Sequence, residues 1–267
     1  MYMEGDGVEK DEDKTVELLR TAAHSPNAEA LTKLGDLYVG GRCGLTRSYK
    51  KALNCYDKAT DMGYAPAWTA KGILYESIYE DYRKATDFYT KAAEMGDLEA
   101  KSSLSRMYYF GKGTVPDYPK AKAYAEEAAV MGDDKSVYLL AWMYYLGDGT
   151  EADAAQALYW FSRCCDDMPE AMRLVGVLLR EDTPYRDERK AMQALKLAAD
   201  RRDAEAIRLI GDEEVDVSGI GDGYFTVPYC GAYEDSLRTR LGIPIPAADA
   251  PAEPRKKSFF ARIFGRK

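Results

Sequence analysis

The chain holds one histidine, His24, so the acid–base work that imidazole most often performs has a single candidate. It falls at the end of an expected helix and reads as a surface or capping residue. The five cysteines are Cys43, Cys55, Cys164, Cys165 and Cys230; they are odd in number, form no CxxC pair and share no common position in the repeat derived below. They read as small buried hydrophobes, with no metal and no disulfide framework implied. The acidic run Asp11-Glu12-Asp13 reads as a solvated loop, and Gly5-Asp6-Gly7 lacks the further carboxylates of a calcium loop. No phosphate loop, GxSxG or HExxH occurs, so neither catalytic residues nor a cofactor are expected. The chemistry that remains is recognition. Arg106, Tyr109, Tyr138, Trp142, Tyr145, Arg173 and Arg180 are of the types that most often carry interface energy, provided that local structure gathers them on one surface.

Internal repetition supplies that structure. A small residue recurs at Ala30, Ala67, Ala100, Ser136, Ala171 and Ala206, and five positions later stands a second: Gly35, Gly72, Ser105, Ala141, Gly176 and Gly211. Two and three residues beyond lie Leu37-Tyr38, Leu74-Tyr75, Met107-Tyr108, Met143-Tyr144 and Leu178-Leu179, while Glu213-Glu214 breaks the pattern. This spacing predicts an amphipathic first helix in each unit, called helix A. Glycine turns follow, clearest at Gly111-Lys112-Gly113 and Gly147-Asp148-Gly149. A second helix, B, opens at Lys51-Ala52, Lys84-Ala85, Lys120-Ala121, Gln156-Ala157 and Lys190-Ala191. Its small residues are expected to let the A and B backbones approach, and its aromatics (Tyr56, Phe88-Tyr89, Tyr124, Trp160-Phe161) to fill space toward the neighbouring unit. Met62-Gly63, Met95-Gly96-Asp97 and Met131-Gly132-Asp133 read as glycine helix stops.

Composition narrows the function. An apolar share of 46% suffices for a core, and the net charge of -8 becomes -14 once the six positive charges of residues 255–267 are set aside. An acidic body is a poor phosphate-binding surface, so nucleic acid is not an expected partner. No secretory signal and no membrane-spanning run is visible in the sequence, which makes a cytoplasmic protein the expectation.

The pattern A-x3-LG-x-LY, then KA-x2-aromatic-aromatic-x2-AA-x2-G, resembles Sel-1-like repeats over residues 1–215. The resemblance implies an all-α, right-handed α–α superhelix of tetratricopeptide-like hairpins and a non-enzymatic adaptor or scaffold role with a protein or peptide partner. On this pattern residues 1–29 are a partial first repeat, and five repeats follow at 30–66, 67–99, 100–135, 136–170 and 171–205. Residues 206–215 form a capping helix A. A few secreted relatives staple each hairpin with a disulfide and are linked to penicillin-type compounds, which leaves a β-lactamase-like hydrolase as an alternative; the paired cysteines are absent here. The chain enters the repeat midway, and no polar cap is evident at its start. Two expectations follow: either the true start lies upstream, or a partner or a second copy of the chain shelters that end.

Counting 100° per residue from the second small residue, positions -5, -1 and +2 face the core, and -3, +1 and +4 lie opposite. In related solenoids helix A lines the concave groove. The third to fifth units would thus bring Tyr109, Tyr138, Trp142 and Tyr145 beside Arg106, Arg173 and Arg180 as a peptide-binding patch. Two readings of the groove stay open: exposed, or covered by the irregular segment 216–246 with its apolar stretches Tyr224–Tyr229 and Ile243–Pro246. Residues 247–254 read as a linker. In residues 255–267, Phe260, Ile263 and Phe264 share one helical face with Phe259 at its margin, flanked by Lys256, Lys257 and Arg262. That composition suits an anionic membrane surface, and equally a short motif that docks on a protein or a solvated tail.

Overall fold

A computed structural model describes residues 12–24, 26–164, 168–181 and 184–211. The segments 216–246, 247–254 and 255–267, the glycine turn at residues 5–7, Cys165 and Cys230 lie outside the described residues. Twelve α-helices and no strand form among those that are described. The A helices are α2 (Ala28–Gly40), α4 (Ala65–Ser77), α6 (Leu98–Phe110), α8 (Asp134–Leu146), α10 (Pro169–Leu178) and α12 (Ala204–Ile210). The B helices are α1 (Glu12–His24), α3 (Tyr49–Asp61), α5 (Tyr82–Glu94), α7 (Tyr118–Val130), α9 (Ala154–Cys164) and α11 (Glu188–Asp200). Short connections pack an A helix on the B helix that follows it in α2–α3, α4–α5, α8–α9 and α10–α11. The chain divides into two compact units, residues 1–124 and 125–267, with the division inside α7.

Side-chain caps fix where the helices begin. The first small residue of four repeats is the third residue of helix A, and its amide donates to a capping side chain. Ala30 bonds to Asn27 at 2.9 Å, and Ala100, Ser136 and Ala206 bond to Asp97, Asp133 and Asp203 at 2.8 Å. Helices α4 and α10 lack such a cap and carry proline in the first turn, where a missing N–H costs nothing. Helix B starts on a residue three places before its Lys or Gln: Ser48, Asp81, Asp117, Asp153 and Asp187 each accept the amide at the KA or QA position. The lysine then reaches across to the tyrosine that ends helix A. Lys51, Lys84 and Lys120 sit 5.4, 5.4 and 5.3 Å from the ring centroids of Tyr38, Tyr75 and Tyr108.

The second small residue has a cause that its spacing does not reveal. A Cβ on Gly35 would stand 2.4 Å from Cε1 of Tyr56, and one on Gly72 would stand 2.5 Å from Cε1 of Tyr89. At Gly176 the obstacle is Cγ of Leu195, at 2.8 Å. The glycines therefore make room for a large side chain of helix B, and these B-helix rings fill space inside their own hairpin as well as toward the next one. Tyr56 also packs on Leu74 of the following hairpin.

The core of unit 1 is a chain of small clusters, the largest built on Tyr89, Leu104 and Met107. Unit 2 holds one continuous core around Trp160, Phe161, Leu140, Val175 and Leu195, all fully buried. Cys164 is buried within it, its Sγ against the carbonyls of Trp160 and Phe161, as packing alone would place it.

Candidate functional site

Helix α8 carries the aromatic part of the stripe. Asp133 caps its start, and Gly147 at φ 79 ends it with an N–H bonded to the Met143 carbonyl. Val137, Leu140, Ala141, Met143 and Tyr144 are buried, which fixes the rotation of the helix and turns Tyr138, Trp142 and Tyr145 to its partly buried side. The three rings form a connected row. Trp142 meets Tyr138 at 6.2 Å and 86°, and Tyr145 at 5.6 Å and 75°. Beneath them Phe161 of α9, fully buried, contacts Tyr138 at 5.8 Å and Trp142 at 5.6 Å. Edge-to-face packing of this kind holds the rings in place before any ligand arrives. The Tyr138 hydroxyl donates to Glu170 at 3.2 Å; burial, together with that carboxylate, raises its pKa above the ordinary tyrosine value, partly opposed by a hydrogen bond from Trp142.

The arginines of the stripe are bonded within the chain. In unit 1 Arg106 grips Glu76 with two nitrogens, at 2.8 and 2.9 Å. Glu76 also accepts the Tyr89 hydroxyl at 2.9 Å and stands 3.6 Å from Lys112. Burial would push the Glu76 carboxyl up, but Arg106, Tyr89 and Lys112 together hold it below the usual carboxylate range. In unit 2 Arg173 pairs with Asp203 at 3.2 Å. Arg180 donates to Glu188 at 2.8 Å and to the Leu209 carbonyl at 3.2 Å. Tyr109, in unit 1, packs edge-on against Phe110 and Tyr118 at 5.0 and 5.5 Å.

Position -3 of the stripe proves to be a tie between hairpins. Thr69 donates to Asp97, Tyr138 to Glu170 and Arg173 to Asp203, each time reaching the start of the next helix A. Thr69 is 2% exposed, so this position is surface only where a long side chain extends past the tie. Sequence reasoning missed both the ties and the capping residues. The recurrence of Asp or Ser three places before each KA or QA, and of Asp after the glycine stops, was the available signal.

Capped helical hairpins, in which large side chains of helix B close over small residues of helix A and side chains of helix A tie to the start of the next, define an all-α repeat protein. The Sel1 repeat model matches residues 1–27, 28–64, 71–97, 98–133, 135–166 and 169–203, and the chain belongs to the Sel1 repeat family. It is similar in structure to c5321, a protective antigen of uropathogenic Escherichia coli with the Sel1-like repeat fold. The TM-score is 0.68 at 25% identity, over 80% of this chain and 48% of the antigen, so the match spans about half the antigen's length. A Sel1 repeat protein from Oxalobacter formigenes is similar at TM-score 0.66 and 27% identity, over 76% of this chain and 84% of that one. No curated protein matches the chain. Sel1 repeat proteins generally serve as protein–protein interaction scaffolds. Among the described residues no helix is long and apolar enough to cross a membrane.

Proposed function

We propose that this chain is a non-catalytic adaptor that holds a peptide or protein segment against the outward face of helix A, with Tyr138, Trp142 and Tyr145 as its anchors. The supporting observation is the ring row on α8. Three adjacent aromatic side chains, partly buried and backed by the fully buried Phe161, offer a large apolar contact whose ordering entropy is already met by the fold. Within unit 2, Arg173 and Arg180 contribute by rigidity, since each joins helix α10 or the turn after it to a neighbouring element.

The test is capture of proteins from source lysate on immobilised wild-type chain and on Trp142→Ala. Truncating a central aromatic anchor costs about 2 kcal/mol or more, so the specifically retained proteins should fall roughly thirtyfold. Identical recovery on both matrices would remove the α8 face as the binding site. Arg106→Glu is the poorer probe, because it sets a second carboxylate against Glu76 and disturbs the hairpin itself.

A further inference from the structure

The α8 face is defined as much by its charges as by its rings. In unit 2 the two arginines beside it, Arg173 and Arg180, are bonded to Asp203 and Glu188, while Glu170 is exposed at its edge. An acidic ligand would meet neutralised arginines and a carboxylate, so complementarity favours a ligand that is apolar with a basic end.

The ring spacing narrows the choice. Tyr138, Trp142 and Tyr145 stand at i, i+4 and i+7, which at 1.5 Å per residue places the outer two about 10 Å apart along the helix. A polyproline II segment advances about 9 Å in one three-residue turn. Residues i and i+3 of such a segment therefore fall in step with Tyr138 and Tyr145, astride Trp142. Each tyrosine packs edge-to-face on the indole, at 86° and 75°, so the three rings offer one aromatic surface of the kind on which prolines dock. Two Pro-x-x-Pro segments run into a basic residue; Pro116–Lys120 leads into helix α7, which leaves Pro251-Ala252-Glu253-Pro254, followed directly by Arg255, Lys256 and Lys257. It lies outside the described residues, and the roughly 40 residues between Gly211 and Pro251 give it ample reach at up to about 3.3–3.6 Å each.

Building on the binding face proposed above, we infer that Pro251–Lys257 is an internal ligand of the α8 aromatic row. Pro254 seats against Tyr138 and Pro251 against Tyr145, astride Trp142, and the basic end lies toward Glu170. A partner using this face would then have to displace the chain's own tail.

The test uses the full chain labelled with 5-fluorotryptophan, with the Trp142 resonance assigned through Trp142→Phe and those of Trp68 and Trp160 as internal references. In the Pro251→Ala/Pro254→Ala variant the Trp142 resonance should shift while the references stay in place. A synthetic peptide of residues 249–258 added to that variant should return it toward the wild-type position. The same peptide with Arg255, Lys256 and Lys257 replaced by Glu should act about tenfold more weakly. A Trp142 resonance unmoved by the proline replacements and by the peptide overturns the inference. So does an equal or stronger response to the Glu-substituted peptide, although that result would leave the α8 face standing as a binding site. The broader reading fails separately, through unchanged protein capture by Trp142→Ala.

Discussion

At the scale of single residues, the repeats act as internal controls for one another. The turn from helix B to the next helix A places Gly63, Gly96 and Gly132 at φ 74, 88 and 94, and the equivalent residue before α12 is Arg202 at φ 68. A side chain in the left-handed region costs about 1 kcal/mol or more relative to glycine. At Gly63, Gly96 and Gly132 an added Cβ meets nothing within 4 Å, so the backbone accounts for the whole penalty there. Arg202→Gly should therefore stabilise the chain by about 1 kcal/mol, and Gly96→Ala should destabilise it by a similar amount, both read from urea unfolding. The two buried tyrosines that bond to carboxylates offer a second comparison. Tyr56 donates to Asp36 at 2.7 Å and Tyr89 to Glu76 at 2.9 Å, yet the carboxyls shift in opposite directions. Burial raises the Asp36 pKa, only partly opposed by Tyr56 and Lys33, whereas Glu76 is lowered by its cations and Tyr89. Stability contributed by Glu76 is present above its unfolded value near 4.5 and lost as pH falls through the folded one; Asp36 behaves inversely, costing stability as pH rises through its raised value. Glu76→Gln should thus lower stability at pH 7 by about 2 kcal/mol, with the deficit closing below pH 4.5. Asp36→Asn should be neutral or stabilising at pH 7. Urea titrations of both variants across pH 3–7 check the two slopes.

At the scale of elements, each hairpin is one helix pair whose start, stop and spacing are written locally, and this is why most of the fold was legible. The small residues, the KA positions and the glycine stops depend on neighbours a few places away, so their period exposes the helices directly. What lay further off was not legible: Gly35 and Gly72 are small because of rings 21 and 17 residues later, Tyr56 and Tyr89. The ties between hairpins were missed for the same reason, since Thr69 and Asp97 meet only after two helices have packed. This tie can be measured. Asp97 accepts both the Ala100 amide and the Thr69 hydroxyl, each at 2.8 Å. Asp97→Ala should cost about 1 kcal/mol for the cap and a further 1–2 kcal/mol for the buried hydroxyl left without its acceptor. Thr69→Val should cost about 1 kcal/mol, and the double variant less than the two together by at least about 0.5 kcal/mol. Strict additivity would mean that the bond carries no stability between hairpins.

For the whole molecule, the candidate site was legible in its aromatic half and not in its charged half. Tyr138, Trp142 and Tyr145 share a face by helical counting alone, and the structure places them in one row. The partners of Arg106, Arg173 and Arg180 are set by side-chain reach between separate elements, as when Arg106 meets Glu76 from 30 residues away. No local pattern encodes that choice. The same locality governs how the molecule should respond to damage. In a repeat array each hairpin exchanges stabilising contacts with its neighbours and little else, so stability is distributed as a sum of nearest-neighbour contributions. Gly72→Ala drives a Cβ to 2.5 Å from the Tyr89 ring and should cost about 1–3 kcal/mol. Gly176→Ala does the same at Leu195 and the Ala191 carbonyl, at 2.8 and 3.0 Å. Amide hydrogen exchange should then show faster opening of α4 and α5 in the first variant with α10 and α11 unchanged, and the reverse in the second. Uniform loss of protection in both variants would make the chain one cooperative body and overturn the nearest-neighbour account. Separate losses would place the stability of the α8 face with its own neighbours and not with the distant hairpins.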